Sequence, residues 1–182
     1  MKKLLILLII TINLTAQQSC CKDYDVSVDS YVLEVLMQSS VKSRLKDAHY
    51  FIDGDDNSKS IQAFLEHDNR TMTIGWFEFN MKKLKLYEIS MANPDEPIEI
   101  SYEDAWRDVM AIVSSGEPRE CIKVKKKSWL YTKADVKNKS KKFLIKNDVA
   151  LILKRKKGWY KIYFYHPKWN SSTILWIKEE DV

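Results

Sequence analysis

Val149-Ala150-Leu151-Ile152-Leu153-Lys154-Arg155-Lys156-Lys157-Gly158-Trp159-Tyr160-Lys161-Ile162-Tyr163-Phe164-Tyr165 is the stretch on which the fold turns. Val149 to Lys154 is apolar and β-favouring, Lys156-Lys157-Gly158 is a polar break, and Trp159 to Tyr165 is almost wholly aromatic or β-branched. A period of two places Tyr160, Ile162 and Phe164 on one face of the second run. Working outward, Ser128 to Tyr131 is a strand, Thr132 to Lys141 a polar loop, Lys142 to Lys146 a short strand and Asn147-Asp148 a turn. Downstream, His166 to Ser172 is a loop carrying Pro167 and Trp169, and Thr173 to Ile177 completes the set. Short strands at this spacing, with few glycines and no helical period, predict a small closed β-barrel over residues 122–182.

The ordered pieces Leu130-Tyr131, Lys142 to Val149, Gly158-Trp159-Tyr160-Lys161-Ile162, Leu175-Trp176-Ile177 and the ending Asp181-Val182 resemble the bacterial SH3-like family. The family often has Gly before the final Trp, where this chain has Leu175. The resemblance implies an all-β SH3-like barrel. It also implies a ligand face near the long first loop and middle strands, with Trp129, Tyr131, Trp159, Tyr165 and Trp176 as candidate ligand-binding residues. Large aromatics also fill the cores of barrels this small. Trp169 joins the candidates on a separate ground: a Trp in a polar loop is placed to meet a partner.

The preceding part is expected to be a small α+β domain over residues 22–117, an antiparallel meander with a packed helix. Asp29 to about Ser39 reads as a helix capped by Asp29 or Ser30, with Val32, Leu33, Leu36 and Met37 as its apolar stripe, and its β-branched residues leave a strand as the alternative. His49 to Asp53, Ser60 to Glu66 and Met72 to Phe79 are expected strands, and Leu84 to Ile89 returns as a hairpin partner. A second helix is expected to start with Ser101 as cap and Asp104 in a capping box, burying Ala105, Trp106, Val109, Met110, Ile112 and Val113 before Gly116. Residues 75–89 resemble a hairpin of exported bacterial proteins of unassigned activity, which bears on compartment rather than chemistry.

Charge is unevenly spread. Residues 17–120 carry 11 Lys/Arg against 20 Asp/Glu, whereas residues 121–182 carry 17 against 5. The basic half is expected to meet an anionic partner, with Lys154, Arg155, Lys156 and Lys157 as its candidate cluster, or to use its lysines to keep strand edges unpaired. The alternative use of the asymmetry is docking of the two halves on each other.

Met1-Lys2-Lys3, the uncharged run Leu4 to Ile12, and Asn13-Leu14-Thr15-Ala16 predict a signal peptide over residues 1–16. The run is shorter than the roughly 20 residues that span a bilayer, so no transmembrane segment is expected after processing. Cleavage after Ala16 would release a soluble chain, whereas lipidation of Cys20 would anchor it, although Gln17 stands where a lipobox usually has Leu. An exported chain enters an oxidising compartment. With Cys20 lipidated, Cys21 and Cys121 form an even pair; otherwise the thiols stay free or join between molecules.

Motifs for chemistry are missing. His49, His67 and His166 share no metal-ligand spacing, and Asp53-Gly54-Asp55-Asp56-Asn57 departs from a calcium loop at Ser58 and Phe64. Neither an enzyme activity, a cofactor nor a metal is expected. The expectation is an envelope protein, in the periplasm or on the cell surface, that binds peptidoglycan, an anionic envelope polymer or a protein. An inhibitor or immunity protein acting on a secreted toxin or hydrolase is the alternative. Export argues against nucleic acid as the partner.

Overall fold

A computed structural model describes residues 21, 24, 27–68, 70–169 and 171–182, with the side chain of Pro167 excepted. The expected leader, residues 1–16, and the lipidation candidate Cys20 lie outside the described residues. Contacts divide the chain into a first unit, Val26–Ser115, and a second unit of Gly116–Val182 with Cys21 and Tyr24. Among the described residues no helix is long and apolar enough to cross a membrane.

In the first unit, Ser27 rather than Asp29 or Ser30 caps α1 (Val28–Met37), its hydroxyl accepting the Ser30 N–H. A hydroxyl or carboxylate can cap only from the non-helical position just outside the first turn, and Asp29 is already inside it. The buried stripe is Tyr31, Val32, Val35 and Leu36, whereas Met37, expected inside, is 38% exposed. The stripe is thus shifted by one residue around the helix, and the Met37 sulfur takes the Tyr50 hydroxyl at 3.0 Å.

After a short 3-10 turn come β1 (His49–Gly54), β2 (Ser58–His67), β3 (Arg70–Asn80), β4 (Lys85–Glu88) and β5 (Ile98–Ile100), then α2 (Asp104–Val113). The five strands form one sheet in chain order, every neighbouring pair antiparallel. β5 lacks a sequence signal of its own, being three residues of an Ile-Glu-Ile run on a sheet edge. Gly54 enters the first turn at φ +123°, where a Cβ would stand 2.3 Å from the Ser58 carbonyl oxygen, so only glycine fits. Asp55 then accepts the N–H groups of Asn57 and Ser58, which hold its carboxyl below the usual range. The acidic run is a hydrogen-bonded turn.

Ile61, Ala63, Phe77, Phe79, Leu86 and Ile100 are buried, as are Trp106, Val109, Met110 and Val113 of α2. Apart from Ala63, side chains of this size contribute about 1.5–3 kcal/mol each on full burial. The expected capping box at Ser101 does not form. Glu103 occupies the cap without a side-chain hydrogen bond, and the Ser101 carbonyl accepts the Ser40 N–H instead. Ser101 is held in an extended segment by a bridge between Ser39 and Tyr102, too far from the helix start to cap it.

The second unit is a six-stranded antiparallel sheet: β6 (Cys121–Lys123), β7 (Ser128–Tyr131), β8 (Lys139–Leu144), β9 (Val149–Lys156), β10 (Trp159–His166) and β11 (Ser171–Lys178). Strand order is β6-β9-β10-β11-β7-β8. Ile122, Val124, Leu130, Leu144, Ala150, Ile152, Ile162 and Ile177 make one core, with Tyr160 and Phe164 partly buried against it. All six strands therefore supply this core, which requires the sheet to curl over it. No ladder joins β6 to β8 among the described residues, so the sheet is not closed.

Two details differ from the expected strands. β6 is an additional short strand, and β8 begins at Lys139 and ends at Leu144 instead of spanning 142–146. Lys139, Lys141 and Lys142 are exposed, so β8 lacks the apolar alternation by which a half-buried strand is read. Its place is set by pairing with β7, Ser128 opposite Leu144 and Trp129 opposite Phe143. Asn147, at φ 77°, turns the chain from there into β9.

Cys21 and Cys121 are joined by a disulfide, Cα to Cα 5.4 Å. It brings Tyr24 onto the sheet, where the ring packs edge-on against Tyr163 and the hydroxyl donates to the Val149 carbonyl at 2.5 Å. The Arg119 guanidinium donates to the Tyr24 carbonyl.

Candidate functional site

A groove in the second unit that combines exposed aromatic, apolar and cationic groups lies beside β8. Its volume is about 380 Å³, near the lower end of ligand pockets. Lys141 to Ile145 line one side; Phe164, His166, Trp169, Ser171 and Thr173 line the other. Phe143, Ile145 and Trp169 are 43%, 55% and 70% exposed, large apolar surfaces that folding has left in water.

Trp169 follows directly after β10, in a 3-10 turn opened by Pro167. Its ring stacks on His166 with centroids 4.0 Å apart and planes 18° from parallel. Stacking fixes the indole without burying it, so contact with a ligand costs little further ordering. The Nδ1 atom of His166 is buried without a hydrogen-bond partner among the described residues. A fold tolerates few such atoms, and they gather where function constrains the packing.

The cations are arranged around aromatic rings. Lys139 Nζ sits 3.8 Å from the centroid of Trp129, and Lys127 Nζ 4.1 Å from that of Phe143. The Lys142 ammonium donates to Thr173 Oγ1 at 2.9 Å. Among the described residues none of Lys127, Lys139, Lys141 and Lys142 has a carboxylate within ion-pair distance. Asp181 pairs with Lys126, Glu180 with Lys178, and Glu179 accepts the Tyr160 hydroxyl, whereas Asp148 lines the groove itself and accepts the Ile145 N–H at 2.8 Å.

The six aromatic candidates are not gathered into one surface. Trp169 alone lines the main groove. Tyr131 is buried and packs edge-on against Trp159, centroids 4.9 Å apart, and Trp176 stands opposite Tyr131 in the β7–β11 pair. Trp159 lines a shallow depression with Val136 and Lys178, and Tyr165 lines another with Tyr24 and Asn147. Trp129 lies on the outer side of β7, edge-on to Phe143 at 5.5 Å.

The basic cluster is dispersed as well. Lys154, Arg155, Lys156 and Lys157 are all exposed along the β9–β10 hairpin, on a strand that sends alternate side chains to opposite faces. Arg155 bonds Glu120 at 2.8 Å and lies over the Tyr160 ring. The bond to Glu120 raises its pKa above the ordinary value, so this cation is committed within the chain.

Reading the sequence missed Phe143, Ile145, His166 and the lysines of β8 as site residues. The only available signal was the apolar pair at 143 and 145 interrupting a lysine-rich edge. Among the described residues no group of three or more His, Cys, Asp or Glu side chains is placed to hold a metal. No protein-family model matches the chain, and no curated protein matches it.

Proposed function

We propose that the second unit is an SH3-like barrel serving as a non-catalytic binding module of an exported bacterial envelope protein, with the β8 groove as its ligand site. The observation that carries this reading is Trp169, 70% exposed yet held by stacking on His166 at the mouth of a groove lined with further apolar surface. An indole left in water is destabilising for solubility and favourable for recognition. The six-stranded sheet folded over one core supports the barrel, and the disulfide fits an oxidising compartment. The ligand belongs to the envelope: wall polymer or protein. The lysines around the groove, without carboxylate partners among the described residues, favour one with negative charge.

The test is a fluorescence titration of the chain, disulfide intact, with solubilised cell-wall fragments. Binding should be saturable, weaken as salt is raised, and fall at least about tenfold in Trp169→Ala. Because Trp169 is mostly exposed, the same variant should keep its stability to within about 0.5 kcal/mol. Unchanged affinity in Trp169→Ala would remove the groove as the site. Stoichiometric inhibition of a secreted hydrolase, with no wall binding, would replace this reading by the inhibitor one.

A further inference from the structure

We propose that the β8 groove takes an acidic polypeptide in extended form, added to the sheet as a seventh strand against β8. The inference rests on the binding reading above and specifies the ligand. Five consecutive residues, Lys141 to Ile145, line the groove. Lys141 to Leu144 belong to β8 and Ile145 follows it; successive side chains of a strand point to opposite faces, so four in a row line one groove when it runs along the strand's edge. That edge is open: β8 is the last strand of the sheet, bonded to β7 on one side only. The Lys142 N–H has no ladder partner on the open side and turns to the nearby Ser140 hydroxyl at 3.1 Å. Such a row of alternating donors and acceptors is matched by another polypeptide backbone, whereas a carbohydrate lacks that alternation.

Charge selects among strands. Lys139, Lys141 and Lys142 lie on the edge itself and lack carboxylate partners among the described residues. Edge lysines ordinarily keep strands apart. Here they exclude a second copy of this chain, whose β8 would bring the same charges, and they admit a strand carrying Asp or Glu. Phe143, Ile145 and Trp169 supply apolar contact further along the groove. The ligand chemistry is therefore an extended segment with acidic residues opposite Lys139 to Lys142 and apolar ones opposite Phe143 and Ile145.

The experiment uses the full chain with its disulfide intact and a fluorescein-labelled eight-residue peptide of four valines followed by four glutamates, which antiparallel pairing sets opposite the apolar and lysine ends of the edge. Two further peptides carry N-methyl groups on one or the other alternate set of backbone amides. Paired edge-on, one methylated peptide should bind at least about tenfold more weakly and the other nearly as well as the parent, because only one set of amides faces β8. The pair Lys141→Glu/Lys142→Glu should weaken the parent peptide at least about tenfold, while Lys156→Glu/Lys157→Glu on the far hairpin should change it less than about twofold. Equal binding of both methylated peptides overturns the proposal, as does polygalacturonate competing as strongly as the peptide, or the absence of saturable binding. If the peptides fail while wall fragments still bind in a Trp169-dependent way, the strand is wrong and the binding module stands. If both fail, both readings are lost.

Discussion

Removing the Cys21–Cys121 disulfide is the perturbation whose size follows most directly from the structure. The bridge joins positions 100 residues apart. Closing a loop of that length removes about 4.7 kcal/mol of conformational freedom from the unfolded chain at 25 °C, and native disulfides measured in small secreted domains contribute about 2–5 kcal/mol. The bridge also positions Tyr24, which is 3% exposed and donates its hydroxyl to Val149. Losing that bond would add about 1 kcal/mol if the segment came away. The expected loss in Cys21→Ser/Cys121→Ser is therefore about 3–5 kcal/mol. Urea unfolding followed by tryptophan fluorescence reads it, and with a slope of about 2 kcal/mol per molar the midpoint should fall by about 2 M. Cys20→Ser is carried in both proteins so that no third thiol can exchange. Tyr24→Phe alone, with the bridge intact, should lose only about 1 kcal/mol, separating the hydroxyl's bond from the covalent constraint. A loss below about 1 kcal/mol in the double variant would mean that the reduced chain already holds these ends together when unfolded, and the loop-closure reasoning would be refuted.

Two other outcomes are expected. Ile162→Ala should cost about 2–5 kcal/mol in urea unfolding, since Ile162 is fully buried where all six strands of the second unit meet; a cost under about 1 kcal/mol would show that this core is not the one that holds the sheet. Burial pushes the Tyr102 phenol above its ordinary pKa, and its hydroxyl donates to the Leu84 carbonyl. A phenol with a raised folded pKa contributes stability that is fully present below its unfolded value, about 10, and is lost as pH rises through the folded one. Tyr102→Phe should thus lower stability at neutral pH by about 1 kcal/mol and flatten its decline above about pH 10; an unaltered alkaline decline in that variant would assign it to other groups.

The strands with strong alternation were legible. Tyr160, Ile162 and Phe164 turn to one core, and Phe77 and Phe79 are buried on β3 as their period requires. The stripe of α2 at Trp106, Val109, Met110 and Val113 was legible for the same reason. Caps were not, because a Ser or Asp near a helix start is defined as a cap only by where the backbone leaves the helix, and Ser27 and Glu103 took those places. Of the candidate site, Trp169 was legible from its polar loop; Phe143, Ile145 and the lysines of β8 were not, since the short strand read at 142–146 carries no local sign that it lies at a sheet edge beside a groove.

The amino-acid order by itself determined that the chain is rich in antiparallel β-structure, that two helices or helix-like stripes interrupt it, and that charge is divided between its halves. These properties depend on residue type and local spacing, which need no distant partner. The tertiary structure decided which strand is left at a sheet edge, which lysines lack a carboxylate, and that Trp169 meets His166 beside β8. Those are relations between residues far apart in the chain, set by how the sheet curls to bury its core. Local pattern cannot encode them, because the free energy that selects them comes from surfaces meeting only after folding.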